Sequence, residues 1–591
     1  MKKYKIIYGL ILFAAATLFS ACNDMLNEKN YDFISNVEDS DAGADQLALG
    51  AYSYMLNDMF RWDEFYKILD IDCDYSTGPD WALSEIGAGN FQGASNMDPL
   101  WTKGFIFVGR TNFAMEEIEK LQNASSEAKN NCIAEMKLLK ALAYFWLVRA
   151  YGELPIMEHS AVVDNDLNKP RKPITEVYAY IIALLEDAEK NLYKNTDSKW
   201  QEGRASAGAA ASLLAKVYLT MASGAVESGN IDVKGGIPFT GSGDSKKFTD
   251  PVVMRFAKNK VEGYNFDAHE YFVKAREKAK QVMDGEYGSY DLLSYDNLWT
   301  AASRNKTEHI FAIQPLQGSD VYGLGISRWY TGTTDGTEMI IEGLFFGMRD
   351  HWYKLFEKND LRVVKGVMHR WINRDYHQSW NGGAFYPNND EWSIKARGYF
   401  VNGQGDTIYN DPATGLPYEL DPMFNDGRSY TNDNSSQYIA WQMKYFNATD
   451  RSNVRTDVPW PVLRFADVLL IYAEASNEAN GAPTQDALNA LNRVRIRSAA
   501  SAKTLTGAGA INTLESFRSV VLEERAREFA CEGDRRWDLI RWGIYLQAMN
   551  GITGPDEIGI NKVRQTKHLL FPIPADEMSS NTAITKNNPD W

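Results

Sequence analysis

The densest group of residues that could do acid–base chemistry lies near the C-terminal end of the sequence. Carboxylates and guanidinium groups alternate there: Glu523, Glu524, Glu528, Glu532, Asp534 and Asp538 with Arg525, Arg527, Arg535, Arg536 and Arg541. Paired carboxylates could act as a general acid and base. Opposite charges three and four residues apart also stabilise a helix, and Leu522, Phe529 and Ile540 would give that helix a buried face. We therefore interpret the block as scaffold, with Gly533 ending its first helix.

A second group of carboxylates has the spacing of a calcium loop. Asp70, Asp72 and Asp74 alternate with other residues, as the first three ligands of such a loop do. The loop lacks its glycine at the sixth position, which is Tyr75, and its bidentate glutamate at the twelfth, which is Trp81. The sequence also contains no HExxH motif. We predict no metal site and no cofactor.

Helical periodicity predicts the elements that must position any functional side chains. Apolar residues recur at helical spacing in eight segments: 131–151, 175–192, 206–223, 268–285, 464–481, 484–499, 513–533 and 535–551. These segments form pairs, and alanines among their larger side chains would let neighbouring helices approach closely. The pattern predicts a mainly α fold, a degenerate tetratricopeptide-like scaffold of helical hairpins that lacks the strict 34-residue repeat.

A long loop-rich region interrupts this scaffold. The scaffold covers about 40–285 and 461–551, whereas Asn, Asp, Gly, Tyr and Trp dominate the region of about 286–460. Short strands are expected there, including a hairpin around the Asp-Pro-Ala-Thr-Gly turn at 411–415. A loop region of this size on a helical support favours a binding surface.

The N-terminus has the pattern of an exported lipoprotein. Three early lysines precede an apolar run that is too short to span a membrane. The run ends in Leu18-Phe19-Ser20-Ala21-Cys22, which resembles a bacterial lipobox. The resemblance implies that residues 1–21 are removed as a signal peptide and that Cys22 carries a lipid anchor. The alternative is an ordinary secretory leader with an incidental cysteine. Residues 22–591 are expected to form a single unit.

Charge and cysteine content exclude two further classes of protein. The formal net charge is −16, and loss of the three leader lysines would bring it to −19. Such a surface repels phosphate backbones, so nucleic-acid binding is not expected. After Cys22 only Cys73, Cys132 and Cys531 remain, and the fold cannot depend on a disulfide framework.

Several longer motifs resemble those of one protein family. They are "WPVLRFADVLLIYAEASNEANG", "VVLEERAREFACEGDRRWDLIRWG", "HLLFPIPADEMSSN" and the terminal "NNPDW", with "EMKLLKALAYFWLVRAYGELPIM" in the N-terminal half. In this order they resemble the SusD/RagB family of outer-membrane lipoproteins of Bacteroidetes. The resemblance covers nearly the whole mature chain and is most specific between Glu524 and Trp542.

The resemblance implies a binding protein and not an enzyme. Such proteins lie on the cell surface, held to the outer membrane by their lipid, and act as a lid on a SusC-like TonB-dependent transporter. They capture an oligosaccharide, or in some members a peptide, and pass it inward unchanged. A surface glycoside hydrolase is the less favoured alternative, because it would need two carboxylates about 5–10 Å apart and no local motif indicates them.

Candidate ligand-binding residues follow from the chemistry of sugars. Sugar rings present apolar C–H faces edged by hydroxyls, which favour exposed aromatic rings beside polar or charged groups. In the family, ligand-contacting aromatics tend to come from the loops after the first helix and from the middle region, but no fixed motif marks them. We predict by chemistry a set of nine residues: Tyr75, Asp80, Trp81, Asn90, Arg328, Trp329, Tyr330, Tyr376 and Trp380.

Overall fold

The computed structural model describes residues 37–61, 64–92, 98–242, 245–319, 321–334, 340–373, 383–431 and 438–591. Its α-helices, in chain order, are α1 (Asp41–Tyr54), α2 (Glu64–Tyr66), α3 (Asp80–Leu83), α4 (Asp98–Lys120), α5 (Ser126–Tyr151), α6 (Ile174–Asn191), α7 (Ala207–Ala225), α8 (Ala268–Met283), α9 (Tyr295–Leu298), α10 (Ile326–Tyr330), α11 (Asp350–Tyr353), α12 (Leu361–Val364), α13 (Asp390–Arg397), α14 (Phe465–Asn480), α15 (Gln485–Arg497), α16 (Leu514–Glu528), α17 (Arg535–Arg541), α18 (Tyr545–Asn550) and α19 (Ala575–Ser580).

The long helices form the predicted scaffold. From α4 to α8 each helix packs against the next one along the chain, as helical repeats do. After the loop-rich region the chain returns to this stack, because α14 packs against α8 and then against α15 and α16. One hydrophobic core runs through both parts, from Ala44 to Ile584. The prediction of a mainly α scaffold is confirmed.

Most predicted helices agree with the structure to within a few residues, and local capping explains their bounds. Ser125, Ser206 and Thr484 precede α5, α7 and α15, and each side-chain oxygen accepts a backbone N–H from the first turn of its helix. Two predictions are wrong. The 513–533 helix ends at Glu528, so that Gly533 lies in the following turn, and the segment 535–551 splits into α17 and α18.

The strands are short and lie mainly in the loop-rich region. They are β1 (Ser76–Thr77), β2 (Asn230–Gly235), β3 (Phe239–Thr240), β4 (Lys247–Phe248), β5 (Val252–Ala257), β6 (His309–Ile313), β7 (Thr333–Thr334), β8 (Ile340–Glu342), β9 (Gly347–Arg349), β10 (Arg370–Asn373), β11 (Gly383–Phe385), β12 (Phe400–Val401), β13 (Thr407–Ile408), β14 (Tyr430–Thr431), β15 (Ile439–Ala440) and β16 (Trp460–Arg464). The sheet β1-β9-β15 joins a strand of the N-terminal part to two strands of the middle region.

The predicted hairpin is present but closes at a different turn. Strands β12 and β13 pair antiparallel around residues 402–406, where Asn402 accepts backbone N–H groups from its own turn. The Asp-Pro-Ala-Thr-Gly turn follows it and is closed by a single bridge between Asn410 and Pro417. Both segments had turn-forming residues, and the strand ladder formed across the shorter loop.

The cysteines among the described residues form no disulfide bond. Cys73, Cys132 and Cys531 are buried free thiols. Burial raises the pKa of Cys73 to about 11 and that of Cys132 to about 12, so both thiols stay protonated and unreactive at neutral pH. No helix in the described part of the chain combines the length and apolar character needed to cross a membrane.

The charged block around α16 and α17 is scaffold, although for a different reason from the one predicted. Its side chains are buried rather than arranged along a solvated helix face. Only some of its ion pairs join residues three or four apart. Most reach distant segments: Arg525 to Asp467, Arg535 to Asp74, Arg536 to Asp72, Arg541 to Glu474, Glu524 to Arg362 and Arg495, and Glu532 to Lys444 and Arg464.

Glu528, like Glu524, pairs with three guanidinium groups. It accepts from Arg362 at 3.2 Å, from Arg464 at 2.9 Å and from Arg497. These guanidinium groups outweigh the effect of its burial and hold its pKa well below the usual range. It therefore stays ionised and compensates three buried positive charges.

Substitution Glu528→Gln should destabilise the protein strongly. It keeps the shape of the side chain but leaves the buried guanidinium groups without their counter-charge, which costs about 3–5 kcal/mol when one partner of a buried pair is lost. Urea denaturation and thermal melting measure this loss. Glu277→Gln, on the exposed face of α8, is the control and should change stability little. Equal stability of the two variants would contradict the role given to Glu528.

The Asp70–Asp74 segment is tied to the same part of the chain. Asp72 accepts from Arg564, at 2.8 and 3.0 Å, and from Arg536. Asp70 is different, because its carboxyl group faces uncharged donors, the backbone N–H of Gly533 at 3.0 Å and the hydroxyl of Tyr330 at 3.1 Å. Burial raises the pKa of Asp70 to about 7.

Asp70 should make stability depend on pH. A carboxyl group whose pKa is raised by folding stabilises the native state at low pH, and that contribution is lost as the pH rises through the folded pKa. Relative to Asp70→Asn, the wild-type free energy of unfolding should therefore fall by roughly 2–3 kcal/mol between pH 5 and pH 8. Urea denaturation of both proteins across this range tests the expectation. A stability difference that does not vary with pH would contradict it.

Candidate ligand-binding surface

Two predicted tryptophans meet at one aromatic platform, formed by Trp81, Phe345 and Trp329. The Trp81 and Phe345 ring centroids lie 4.7 Å apart at an interplanar angle of 80°, and those of Trp329 and Phe345 lie 4.8 Å apart at 44°. Trp81 is 56% exposed, Trp329 is half-buried, and Phe345 is buried. Phe345 thus supports both indoles from below, and more than half of the Trp81 side chain remains exposed to solvent.

Pairing of β1 with β9 brings the platform together from distant parts of the sequence. Ser76 lies opposite Met348 and Thr77 opposite Gly347, so Trp81, which follows β1, meets Phe345, which precedes β9. Gly78 allows the close approach, because a Cβ at that position would lie only 2.2 Å from the Phe345 carbonyl oxygen. Trp81 then lies in the short helix α3, which Pro79 and Asp80 begin.

The segment 343–346 fixes the helix that carries Trp329. The backbone N–H groups of Phe345 and Phe346 both donate to the Trp329 carbonyl oxygen, at 2.8 and 2.9 Å, and that of Leu344 donates to the Arg328 carbonyl oxygen at 3.2 Å. Gly343 has a φ of 101°, which favours glycine, and a Cβ there would lie 2.5 Å from the Arg328 carbonyl oxygen. The short helix α10 is therefore held at its C-terminal end by backbone contacts.

A polar cavity lies beside the platform. It has a volume of about 610 Å³ and is lined by Arg61, Arg328, Asp450, Ser452, Asn453, Val454 and Arg455. An antiparallel bridge between Leu324 and Thr456 brings the 450–455 loop beside the start of α10. Gly325 marks the junction, since a Cβ there would lie 3.0 Å from Trp329 Nε1 and 3.6 Å from a guanidinium nitrogen of Arg455. Platform and cavity together form what we call the candidate surface.

The structure places the other predicted residues in three ways. Tyr75 and Tyr330 are buried, and the prediction that their rings are available to a ligand is wrong: Tyr75 donates its hydroxyl to the Lys234 carbonyl oxygen, and Tyr330 donates to Asp70. Asp80 and Asn90 are exposed, Asp80 beside Trp81 at the start of α3 and Asn90 after the turn Ile86–Ala88. Tyr376, Trp380 and the proposed anchor Cys22 lie outside the described residues.

Sequence reasoning missed Phe345 and the 450–455 loop. Phe345 precedes β9 in an apolar run, so its pattern is that of a core residue, and it is indeed buried beneath the platform. The loop "TDRSNVR" carries turn formers and two arginines just before β16. That composition could have indicated a charged loop, but only the bridge to Leu324 brings it to Trp329.

No acid–base or metal centre is evident in the candidate surface. Asp450 is the one carboxylate among the described residues that line the cavity, and it accepts from the N–H and hydroxyl groups of Ser452, at 2.9 and 2.7 Å. Across the ranges given above, no three His, Cys, Asp or Glu side chains are arranged to hold a metal ion. The arrangement offers stacking and hydrogen bonding.

Comparisons with known proteins agree along both halves of the chain. A sequence profile described as "SusD family" matches residues 307–591, and one described as "Starch-binding associating with outer membrane" matches residues 24–219. The chain is 24% identical to SusD-like protein P2 of Formosa agariphila over the full length of both. It is also 24% identical to the starch-binding protein SusD of Bacteroides thetaiotaomicron, over 81% of this chain and 76% of the relative.

Solved structures share the fold. A SusD homolog from Bacteroides thetaiotaomicron superposes with a TM-score of 0.67 at 22% identity, covering 96% of this chain and 100% of that one. Surface glycan-binding protein A from the same organism, in complex with laminarihexaose, gives 0.60 at 17% identity, covering 93% and 99%. The profile matches, the full-length relatives and the shared fold agree with the sequence motifs, and the chain belongs to the SusD/RagB family.

Proposed function

We propose that this chain is a lipid-anchored protein of the outer cell surface that binds an oligosaccharide and delivers it to a SusC-like TonB-dependent transporter. The observation that carries the proposal is the aromatic platform. Trp81 and Trp329 come from the short helices α3 and α10, in distant segments of the chain, and both pack on Phe345 beside a polar cavity. A scaffold that presents large aromatic rings to solvent gains little stability from their exposed faces, which favours a role in binding.

The geometry suits a saccharide. Indole faces complement the C–H faces of sugar rings, and the adjoining cavity supplies guanidinium, amide and hydroxyl groups for the ring hydroxyls. Relatives with this fold support the same reading, since one is named for binding starch and another was solved with laminarihexaose. Carbohydrate is therefore the ligand class that we propose.

The proposed location and partner rest on the N-terminus and on the family. Cys22 ends a lipobox-like segment, and one matching profile is described as associating with the outer membrane. A binding protein held beside a transporter barrel would raise the local concentration of its ligand there. Binding without hydrolysis is part of the proposal.

Two alternatives differ in what the candidate surface would have to provide. A peptide ligand, as in RagB-like proteins, would use the cavity but would not need two indoles held on Phe345. A glycoside hydrolase would need a second carboxylate about 5–10 Å from Asp450, and the described lining residues do not include one. Both alternatives are less well supported than glycan binding.

Trp81→Ala and Trp329→Ala should each weaken glycan binding about 5- to 30-fold. Aromatic stacking on a planar ring is worth roughly 1–3 kcal/mol, and we take the lower part of that range for a sugar face. A glycan array identifies an oligosaccharide that the wild type binds, and calorimetric titration with it then measures the affinities. Tyr409→Ala, which removes a ring that is 63% exposed elsewhere in the loop-rich region, is the control and should bind normally.

A thermal melt of each variant separates binding from folding. Trp81 should be replaceable with little loss of stability because of its exposure, whereas half-buried Trp329 should lower the melting temperature modestly. Unchanged affinity in both tryptophan variants would place the ligand elsewhere. Shorter sugars recovered by chromatography after titration would favour a hydrolase.

Cys22→Ser should release the protein from the outer-membrane fraction. The serine cannot carry the thioether-linked lipid, and the described helices offer no span that could replace it.

In the same cells the wild-type protein should co-purify with a TonB-dependent barrel from solubilised outer membranes, through an interface large enough for a lid. An unchanged membrane fraction for Cys22→Ser would refute the anchor, and a wild-type preparation without any barrel would refute the partnership.

A further inference from the structure

The loop between α5 and α6 presents three aliphatic side chains to solvent. Val162, Val163 and Leu167 are 64%, 55% and 57% exposed, and they lie within a stretch of six residues. Single exposed aliphatic residues are common on protein surfaces, but a cluster of them on one loop indicates a contact with another molecule. We call residues 160–168 the apolar loop.

The apolar loop is held in place at both ends. The backbone N–H of Ser160 donates to Glu116 of α4 at 2.9 Å, and the Ser160 hydroxyl donates to the same carboxylate. Within the loop, the N–H of Val163 donates to the Ser160 carbonyl oxygen at 3.0 Å. At the other end, the Asn168 side chain donates to the hydroxyl of Thr582 at 3.0 Å. A loop that is already ordered loses little conformational entropy when it makes a contact.

The apolar loop lies at the end of α4 where the described chain begins. Asp39 accepts from the backbone N–H groups of Gln122 and Asn123, at 2.7 and 2.9 Å, just after α4 ends. Glu116, which holds the loop, lies about one helical turn before that end. The fifteen residues 22–36 precede the described chain and span at most about 50–55 Å when fully extended. A lipid at the start of that segment would keep this end of the molecule close to the membrane.

The formal charges around the loop also permit approach to a membrane. The whole sequence has a net charge of −16, whereas residues 156–172 contain three acidic and three basic residues. Lys169, directly after the loop, lies 3.1 Å from the carboxylates of both Asp164 and Asp166. An anionic lipid surface repels a negatively charged protein. A segment with balanced charges can therefore approach that surface at lower cost than the average of the chain.

We infer that the apolar loop lies against the lipid surface of the membrane and inserts Val162, Val163 and Leu167 among the lipids. The inference rests on the proposed anchoring at Cys22 and adds a second contact to it. A flexible tether alone allows many orientations of the protein, whereas a second contact beside the tether turns this end of α4 toward the membrane. Three aliphatic side chains are too few to hold the protein there without the lipid, which agrees with the release expected for Cys22→Ser.

The composition of the loop favours lipid over a protein partner. Residues 160–168 include no aromatic side chain, methionine or arginine, which are the residue types enriched in the cores of protein interfaces. Aliphatic side chains need no complementary pocket in a lipid surface, and their burial is favourable in proportion to the apolar area removed from water.

The test uses the intact lipoprotein, after mass spectrometry has confirmed the lipid on Cys22. Val163→Cys adds an accessible thiol, because the three native thiols in the described part of the chain are buried. The variant is labelled with an environment-sensitive fluorophore and reconstituted into phosphatidylethanolamine–phosphatidylglycerol vesicles that contain nitroxide-labelled lipid. Its emission should shift to shorter wavelength and be quenched by the nitroxide. Val253→Cys is the matched control: this valine is 63% exposed on β5, in a hairpin that packs against α16, and its label should remain in water.

A further set of variants separates insertion from proximity to the tether. Leu167→Cys should also be quenched, and it should lose most of that quenching when it is combined with Val162→Ser and Val163→Ser. The substituted side chains are exposed, so thermal melts of these variants should match that of the wild type.

Each outcome distinguishes the inference from the function on which it rests. If the Val163→Cys label reports water, or if the serine substitutions leave the quenching of Leu167→Cys unchanged, the inference fails and the proposed anchor stands. If the label leaves water only when a TonB-dependent barrel is reconstituted in the same vesicles, the loop contacts protein and the inference fails. If mass spectrometry finds no lipid on Cys22, both the inference and the proposed anchor fail.

Discussion

Buried pairing of arginines with carboxylates is the interaction on which the rest of the structure depends. Helices α16 and α17 contribute charged side chains that meet partners from the N-terminal segment around Asp72, from α14 and from the loop-rich region. A charge transferred from water into a protein interior is costly unless its partner is in place. Each distant segment must therefore dock in one register. The same ion pairs fix the long helices relative to the loop-rich region that they support.

The candidate surface lies directly on this core of buried ion pairs. In α10, Tyr330 points inward to Asp70, whose other oxygen accepts from Gly533 near the end of the turn between the two charged helices. Its neighbour Trp329 contacts Phe345 on the platform. Consecutive residues of one short helix thus belong to the core and to the candidate surface. The position of Trp329 is set by buried contacts of its neighbour Tyr330 and by backbone hydrogen bonds from the 343–346 segment.

The sequence was most informative where structure is local. Helical spacing predicted α5–α8, α14 and α15 well, because that signal acts within a few residues. Spacing could not reveal that Arg535 pairs with Asp74 rather than with a neighbour in its own helix, since that choice depends on docking. For the same reason it could not separate Trp81 from Tyr75: both are aromatic residues in one polar segment, and only the tertiary structure exposes one and buries the other. Arg61 and Arg455 join Trp329 only through pairings between distant segments.

Assembly of the platform across β1 and β9 has a thermodynamic consequence. Trp81 and Trp329 belong to widely separated parts of the sequence, and neither part alone contains the surface. A ligand that needs both rings binds only chains in which the two strands are paired, and its apparent affinity scales with the fraction of molecules in that state. Binding free energy is then added to the stability of the docked form alone. A bound ligand would therefore hold the N-terminal segment and the middle region together. Its apparent affinity would depend on the fraction of chains in which these segments are docked, as well as on the residues in contact.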